Sequence, residues 1–378
     1  MVLIMVQVKD VKTNLILDPT PEVTQDATIN ISSGNSDEKV GRYTLFVHIE
    51  TDKGLSGFSY TSDHNTGRAL ETLIHDNLKH IIIGEDPQDT EKLWDKMFWQ
   101  VRGYGRKGLA FQAISALDTA LWDLKGKILD APLYKILGSY QDSVPCYGSG
   151  GWTNYTIEEL VEEQTSYVEQ GFPRIKMKVG KDFGQSEEED IERVAAVRKA
   201  VGKDVTIFID ANNGYYAKQA IKMSKIFEEF NVGWFEEPVL ADDIQGLAQV
   251  SRSTVIPVAT GEHEYTKYGF KDLISQGGAD IVQPDIGRVG GVTEWMKVAH
   301  LAHSYNLPVA PHAYSLLHLH CCMATPNLKV VEILGNEMKY WPFLFNETPE
   351  VIKGQWKPFD KPGLGLEPNQ NTIRNHSV

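Results

Sequence analysis

VTIFIDAN (205–212) is an apolar run that ends on a charge, and the chain then repeats the device in VGWFEEP (232–238) and IPVATGE (256–262). Asp210, Glu236 and Glu262 therefore close three strand-length runs spaced 26 residues apart and 26 again. The pattern continues outward on both sides. VPCYG (144–148) and RIKMKVG (174–180) precede it; DIVQPD (280–285), LPVAPH (307–312) and KVVEIL (329–334) follow. Helical patterns fill the gaps, among them 157–170, 187–201, 217–230 and 291–305. Strands separated by helices pair in parallel, because a parallel neighbour needs a crossover. Eight such units are the number that closes a (β/α)₈ barrel. The competing architecture, an open doubly wound sheet, carries a glycine-rich phosphate loop after its first strand. GSGG (148–151) is a lone glycine cluster without the rest of that fingerprint. The expected fold class is thus α/β, a modified TIM barrel.

The first third reads differently. Residues 2–17 alternate like a strand, and 42–50 with 55–61 form a hairpin pattern around Asp52-Lys53-Gly54. Helical patterns follow at 67–80, 89–99 and 109–129. The expected division is an α+β capping domain over 1–137, the barrel over 138–349, and a tail over 350–378 that returns to the cap. A polar stretch, 18–38, is long for a connection, and such loops are often functional.

Composition limits the function. The chain has 378 residues, with 37 Lys and Arg against 51 Asp and Glu, a formal net charge of −14. Clustered positive charge is what nucleic acid and anionic membranes demand, so neither is an expected partner. Three cysteines are too few for a disulfide framework and fit a reducing compartment. No apolar run approaches the ~20 residues of a membrane span, and MVLIMVQVKDVK (1–12) reads as a strand and not as a leader. A cytoplasmic location is expected.

The charges at the run ends carry the chemistry. After Glu262 the steps are 23 residues to Asp285, 27 to His312 and 20 to Glu332. Each is about one βα unit, so six successive strands bring an ionisable group to the same end of the barrel, where active sites of this fold lie. Singly, each has a bland reading: a helix cap, a turn residue, a structural histidine. The recurring interval is what argues for a site. Three carboxylates from adjacent strands repel one another unless a hard cation binds them, and Mg²⁺ suits an all-oxygen set. Lys176 and Lys178, two apart in a strand, point to one side. Lys178 and His312 fall on opposite sides of such a metal, with Asp285 placed to orient the imidazole. Lys176 and the metal are expected to depress the Lys178 pKa, and a protonated Glu332 to bond a substrate carboxylate. Tyr60, His64, Asn212, His263, Arg288 and Tyr314 are candidate substrate contacts. His318-Leu319-His320 reads as structural, since i and i+2 on a helix diverge.

KMK (176–178), DAN (210–212), EEP (236–238), TGE (260–262), PD…GG (284–291), PH (311–312), VE (331–332) and GLAFQAISALD (108–118) together resemble the enolase superfamily, in its mandelate racemase subgroup. The resemblance implies Mg²⁺ on Asp210, Glu236 and Glu262, with Lys178 and a His312–Asp285 dyad as acid/base groups. It also implies carboxylate substrates that lose an α-proton. VATGEH (258–263) and PHAYSLLHLH (311–320) look most like acid-sugar dehydratases of the talarate/galactarate, fuconate or rhamnonate kind. A racemase or epimerase is the alternative through the same intermediate. Asn212 stands where galactonate dehydratases carry His, and Asp285 where muconate-type cycloisomerases carry Lys. A metal-dependent hydrolase and a silent homologue are rivals that the carboxylate set and the intact acid/base pair argue against. The expected partners are a small sugar acid and further copies of the chain.

Overall fold

The computed structural model describes residues 6–18, 24–28, 42–63 and 66–378. Three antiparallel strands, β1 (Val8–Asp18), β2 (Arg42–Thr51) and β3 (Ser56–Asp63), form one sheet in the order β1-β2-β3. Gly54, at φ 80°, makes the tight turn between β2 and β3. Helix Leu109–Ile128 is buried along most of its length and lies across β2 and β3.

The second sheet is the barrel. β4 (Val144–Ser149), β5 (Arg174–Lys178), β6 (Thr206–Asp210), β7 (Val232–Glu236), β8 (Val258–Thr260) and β9 (Ile281–Val282) pair in parallel in chain order. β10 (Val331–Leu334) pairs in parallel with β4 and closes the ring. The expected strand at 307–312 is reduced to parallel bridges from Val309 to Val282 and Leu328. Pro308 and Pro311 explain this, since neither has an N–H to give to a ladder.

Strand alternation builds the site's floor. Phe208 and Trp234 sit two residues before Asp210 and Glu236, so they face the same interior. Their rings stack at 3.5 Å, with Tyr147 edge-on to both. Ala259, Ile281, Ala310 and Val330 complete this buried layer. Water is thereby excluded beneath the charged residues above it.

The cap is fixed to the barrel by polar groups from helix Leu109–Ile128. Both oxygens of Asp118 accept from Thr293, at 2.8 Å from its N–H and 2.6 Å from its hydroxyl, and Trp122 donates to the same hydroxyl. Gly290 donates to Ser115, and Trp94 donates to the Gly290 carbonyl. Gly291 lies at φ 76°, and a Cβ there would meet Asp118 Oδ2 at 2.5 Å. The paired glycines of the sequence motif are thus where the cap helix approaches the backbone. At the other end, Gln355–Trp356 pairs with β4. The chain finishes against the cap, where Ser377 bridges Ile16 and Val378 donates to Leu15. No helix among the described residues is long and apolar enough to cross a membrane.

Candidate active site

A cavity of about 350 Å³ opens at the C-terminal ends of the barrel strands, between barrel and cap. Lys178, Asn212, Glu262, His263, Arg288, His312, Tyr314 and Glu332 line it, as the sequence led us to expect. The cap contributes Asp26, Thr28, Arg42, Ser62 and Gln112.

Asp210, Glu236 and Glu262 each place an oxygen within 4.8 Å of the others. All three are buried. Asp210 accepts from Lys178 at 2.5 Å and from the Asn212 N–H at 2.9 Å. Glu236 accepts from Lys176 at 2.6 Å and from the Trp234 indole at 3.0 Å. Glu262 Oε2 is buried without a hydrogen-bond partner. An unsatisfied carboxylate oxygen beside two further carboxylates is a costly arrangement that a hard dication relieves. The donor set therefore fits Mg²⁺.

On the other wall His312 Nδ1 donates to Asp285 Oδ2 at 2.9 Å, and its Nε2 faces Glu262 Oε1 at 3.4 Å. Burial disfavours the imidazolium, but Glu262 and Asp285 outweigh it and raise the His312 pKa to about 9. Asp285 is itself held by the Gly287 N–H at 2.7 Å. His318 takes part from below through Nε2, within 3.0 Å of the His312 carbonyl. Burial lowers the His318 pKa to about 4 and keeps it neutral. His320 Nδ1 accepts from Tyr134 N–H and its Nε2 meets the Leu364 carbonyl, so both histidines of HLH serve the backbone.

Several expectations need correction. Lys176 does not line the cavity. It is fully buried, bonded to Glu236 and 2.8 Å from Glu332, so it neutralises the floor beneath the site. Lys178 is not depressed among the protein's own groups. Burial pushes its pKa down, but Asp210, Glu236 and Glu262 acting together outweigh burial and Lys176, and the net direction is up. Glu332 is not a proton donor here. Burial is overcome by Lys176, His312 and Lys178 with the Ala313 N–H, which together bring its pKa to about 2. Its two oxygens already accept from Ser149 and the Ala313 N–H. Tyr60 is not at the cavity surface. It is packed among Phe58, Tyr314 and Phe345, because Tyr314 covers its ring. His64 and most of 18–38 lie outside the described residues.

Sequence reading missed Glu237, Gln112, Asn336 and the Arg42–Glu337 pair. Glu237 is buried, accepts from His263 at 2.7 Å and from Asn213 at 2.9 Å, and holds the His263 pKa near 9 against burial. The second acidic residue of EEP was its only signal. Arg42 and Glu337 come from opposite ends of the chain, and no spacing links them.

Two family models match the chain: the mandelate racemase/muconate lactonizing enzyme N-terminal domain over residues 21–138, and the enolase C-terminal domain-like family over 159–372. The chain belongs to the mandelate racemase/muconate lactonizing enzyme family. It is an enzyme fold of the enolase superfamily, as its motifs indicated. Members similar to it include arabinonate dehydratase of Saccharolobus solfataricus, 35% identical over 84% of this chain and 86% of the relative. L-talarate/galactarate dehydratase of Salmonella typhimurium is 36% identical over 87% and 81%. D-galactarolactone cycloisomerase of Agrobacterium fabrum is 34% identical over 88% and 90%. Among solved structures, a racemase from Streptomyces coelicolor with bound magnesium superposes at TM-score 0.91, with 31% identity over 98% of this chain and all of that one. L-talarate dehydratase from Polaromonas, complexed with Mg and L-glucarate, gives 0.87 with 35% identity over 99% and 98%.

Proposed function

We propose that the protein is a Mg²⁺-dependent hydro-lyase of acid sugars that yields a 2-keto-3-deoxy acid. The α C–H bond and the β C–O bond break, water leaves, and the resulting enol becomes the ketone. One observation carries this reading: Lys178, His312 and Glu262 line one cavity, with Asp285 bonded to His312 and with oxygens of Asp210 and Glu236 within 4.8 Å of Glu262. Those three carboxylates would hold the ion. Bound there, Mg²⁺ would stabilise negative charge that develops on the substrate carboxylate as the α-proton leaves.

The chain's own groups divide the proton work. His312, whose Nδ1 bonds the Asp285 carboxylate at 2.9 Å, donates to the departing hydroxyl. Lys178 takes the α-proton. Asp210, Glu236 and Glu262 together raise its pKa, so a cation held by those carboxylates would remove the obstacle. Lys176 supplies fixed positive charge under the carboxylates, and the stacked aromatic floor keeps bulk water out. Functional division at 137/138 and 349/350 follows the same reading, with the cap closing the mouth.

Return of the proton to the opposite face, without loss of hydroxyl, would make the protein a racemase or epimerase. The likeness to the Streptomyces coelicolor racemase supports that second reading. A panel of acid sugars and their lactones, incubated with Mg²⁺ and with chelator, tests both. Metal-dependent 2-keto product is expected. Solvent deuterium incorporated at C2 without keto product would establish the alternative, and neither signal would refute both.

A further inference from the structure

The charges around the cavity are unevenly committed. Among the described lining residues every cation already faces a carboxylate. Lys178 bonds Asp210, His312 bonds Asp285, and His263 bonds Glu237. Arg288 lies 3.6 Å from both Glu262 and Asp285 and donates to the Glu262 carbonyl. Arg42 lies 3.8 Å from Glu337, donates to Ser62 Oγ at 3.1 Å, and stacks over Tyr340 at 4.8 Å.

The unpartnered groups tell the complementary story. Five lining side chains have a buried polar atom with no hydrogen-bond partner: Gln112 Oε1, Asn212 Oδ1, Glu262 Oε2, Asn336 Oδ1 and Glu337 Oε2. All five are acceptors. Glu262 belongs to the carboxylate cluster, and the three amides can present either end. Burial raises the Glu337 pKa against the pull of Arg42, which lies 3.8 Å away; ionised beside that guanidinium, Glu337 only accepts. It lies just past β10, where its strongest charged neighbours are Arg42, Glu332, His312 and Asp285. That is the β10 side of the cavity.

A dicarboxylate sugar bound through one carboxylate at the metal would need a free cation for the other. The described lining provides none, and it offers Glu337 instead. A hydroxyl donates to a carboxylate oxygen and accepts from a guanidinium, so a polyol chain suits the Arg42–Glu337 pair. We propose that the substrate is an aldonic acid, a polyhydroxy monocarboxylate, and that Glu337, held against Arg42, bonds its distal hydroxyls and rejects a second carboxylate. This rests on the acid-sugar reading above and narrows it.

The test uses full-length protein with Mg²⁺ and matched pairs of one configuration, such as gluconate with glucarate and arabinonate with arabinarate. The wild type is expected to favour the monoacid at least tenfold in kcat/KM. Glu337→Gln keeps the shape and removes the charge, so it should narrow that preference at least tenfold, mainly through KM of the diacid. Calorimetric Kd values on Lys178→Ala read the same preference without turnover. Absence of turnover by the wild type with a retained monoacid binding preference would sink the dehydratase reading and keep this one. A wild type that prefers diacids overturns the proposal, as does a Glu337→Gln protein that folds and keeps the original ratio. Should Glu337→Gln fail to fold, the wild-type ratio decides alone.

Discussion

Lys176 Nζ lies 2.6 Å from Glu236 Oε1, and neither side chain has exposed surface. This ion pair is the foundation of the site, because Glu332 leans on the same ammonium at 2.8 Å and Asp210 at 3.5 Å. Breaking one partner of a buried pair costs about 3–5 kcal/mol. Lys176→Met should lose about that much in urea denaturation without metal. The loss should grow as pH rises through about 8, where Glu236 ionises in the wild type but not in the variant. Removing the ammonium raises the native Glu236 pKa further above its unfolded value, so the native state holds a proton that the unfolded chain has released. Stability then falls as pH rises. A variant as stable as wild type at pH 8 would show that Lys176 carries no such burden.

The His312–Asp285 hydrogen bond fixes which nitrogen faces the substrate. Asp285→Asn removes a charge that raises the imidazole pKa and weakens its hold on Nδ1. A loss of about 10²–10⁴ in kcat is expected, the scale of general acid–base catalysis. The His312 pKa should move down from about 9 in an NMR titration of the metal-free protein. An unmoved resonance would separate Asp285 from the dyad.

Barrel, cap and the catalytic wall were readable in the chain because each depends on local order. Asp210 and Glu236 end strands whose alternation already puts Phe208 and Trp234 inside. The interval from Asp210 to Glu332 is one βα unit per charge, and topology converts that to convergence. Protonation states were not readable. Lys178 was read as depressed by Lys176 and the metal, yet among the protein's own groups Asp210 at 2.5 Å, with Glu236 and Glu262, turns the direction upward. Glu332 was read as an acid, yet Lys176 and the Ala313 N–H hold it ionised. Such balances depend on distances of a few ångströms that sequence spacing does not contain. Tyr60 failed for a related reason: Tyr314, 254 residues away in the chain, covers it. The expected strand at 307–312 shrank to bridges because two prolines remove donors, a signal that was present but outweighed by the apolar run.

Lys178 is the candidate base; its ammonium bonds Asp210 at 2.5 Å and lies over the Trp152 ring. Lys178→Ala should lower turnover by at least about 10³-fold, near the upper range for one acid/base group. Asp210 then loses a cation, so calorimetric Mg²⁺ affinity should hold or strengthen. Turnover near the wild-type level would remove Lys178 from the mechanism, and a weakened Mg²⁺ affinity would make it a structural prop of the metal site.

Metal binding should depend on pH in a direction set by Glu236. Burial raises its pKa to about 8 against the pull of Lys176, with Asp210, Glu332 and Glu262 adding to the rise. A divalent ion binds the carboxylate and not the acid, so below pH 8 each ion displaces a proton. Mg²⁺ affinity should therefore climb by up to about tenfold per pH unit from 6 to 8 and flatten above. Calorimetry in two buffers of different ionisation enthalpy counts the protons directly. Close to one released per ion at pH 6.5 is expected. A count near zero would mean that Glu236 is already ionised in the metal-free protein, with Lys176 outweighing both burial and the neighbouring carboxylates.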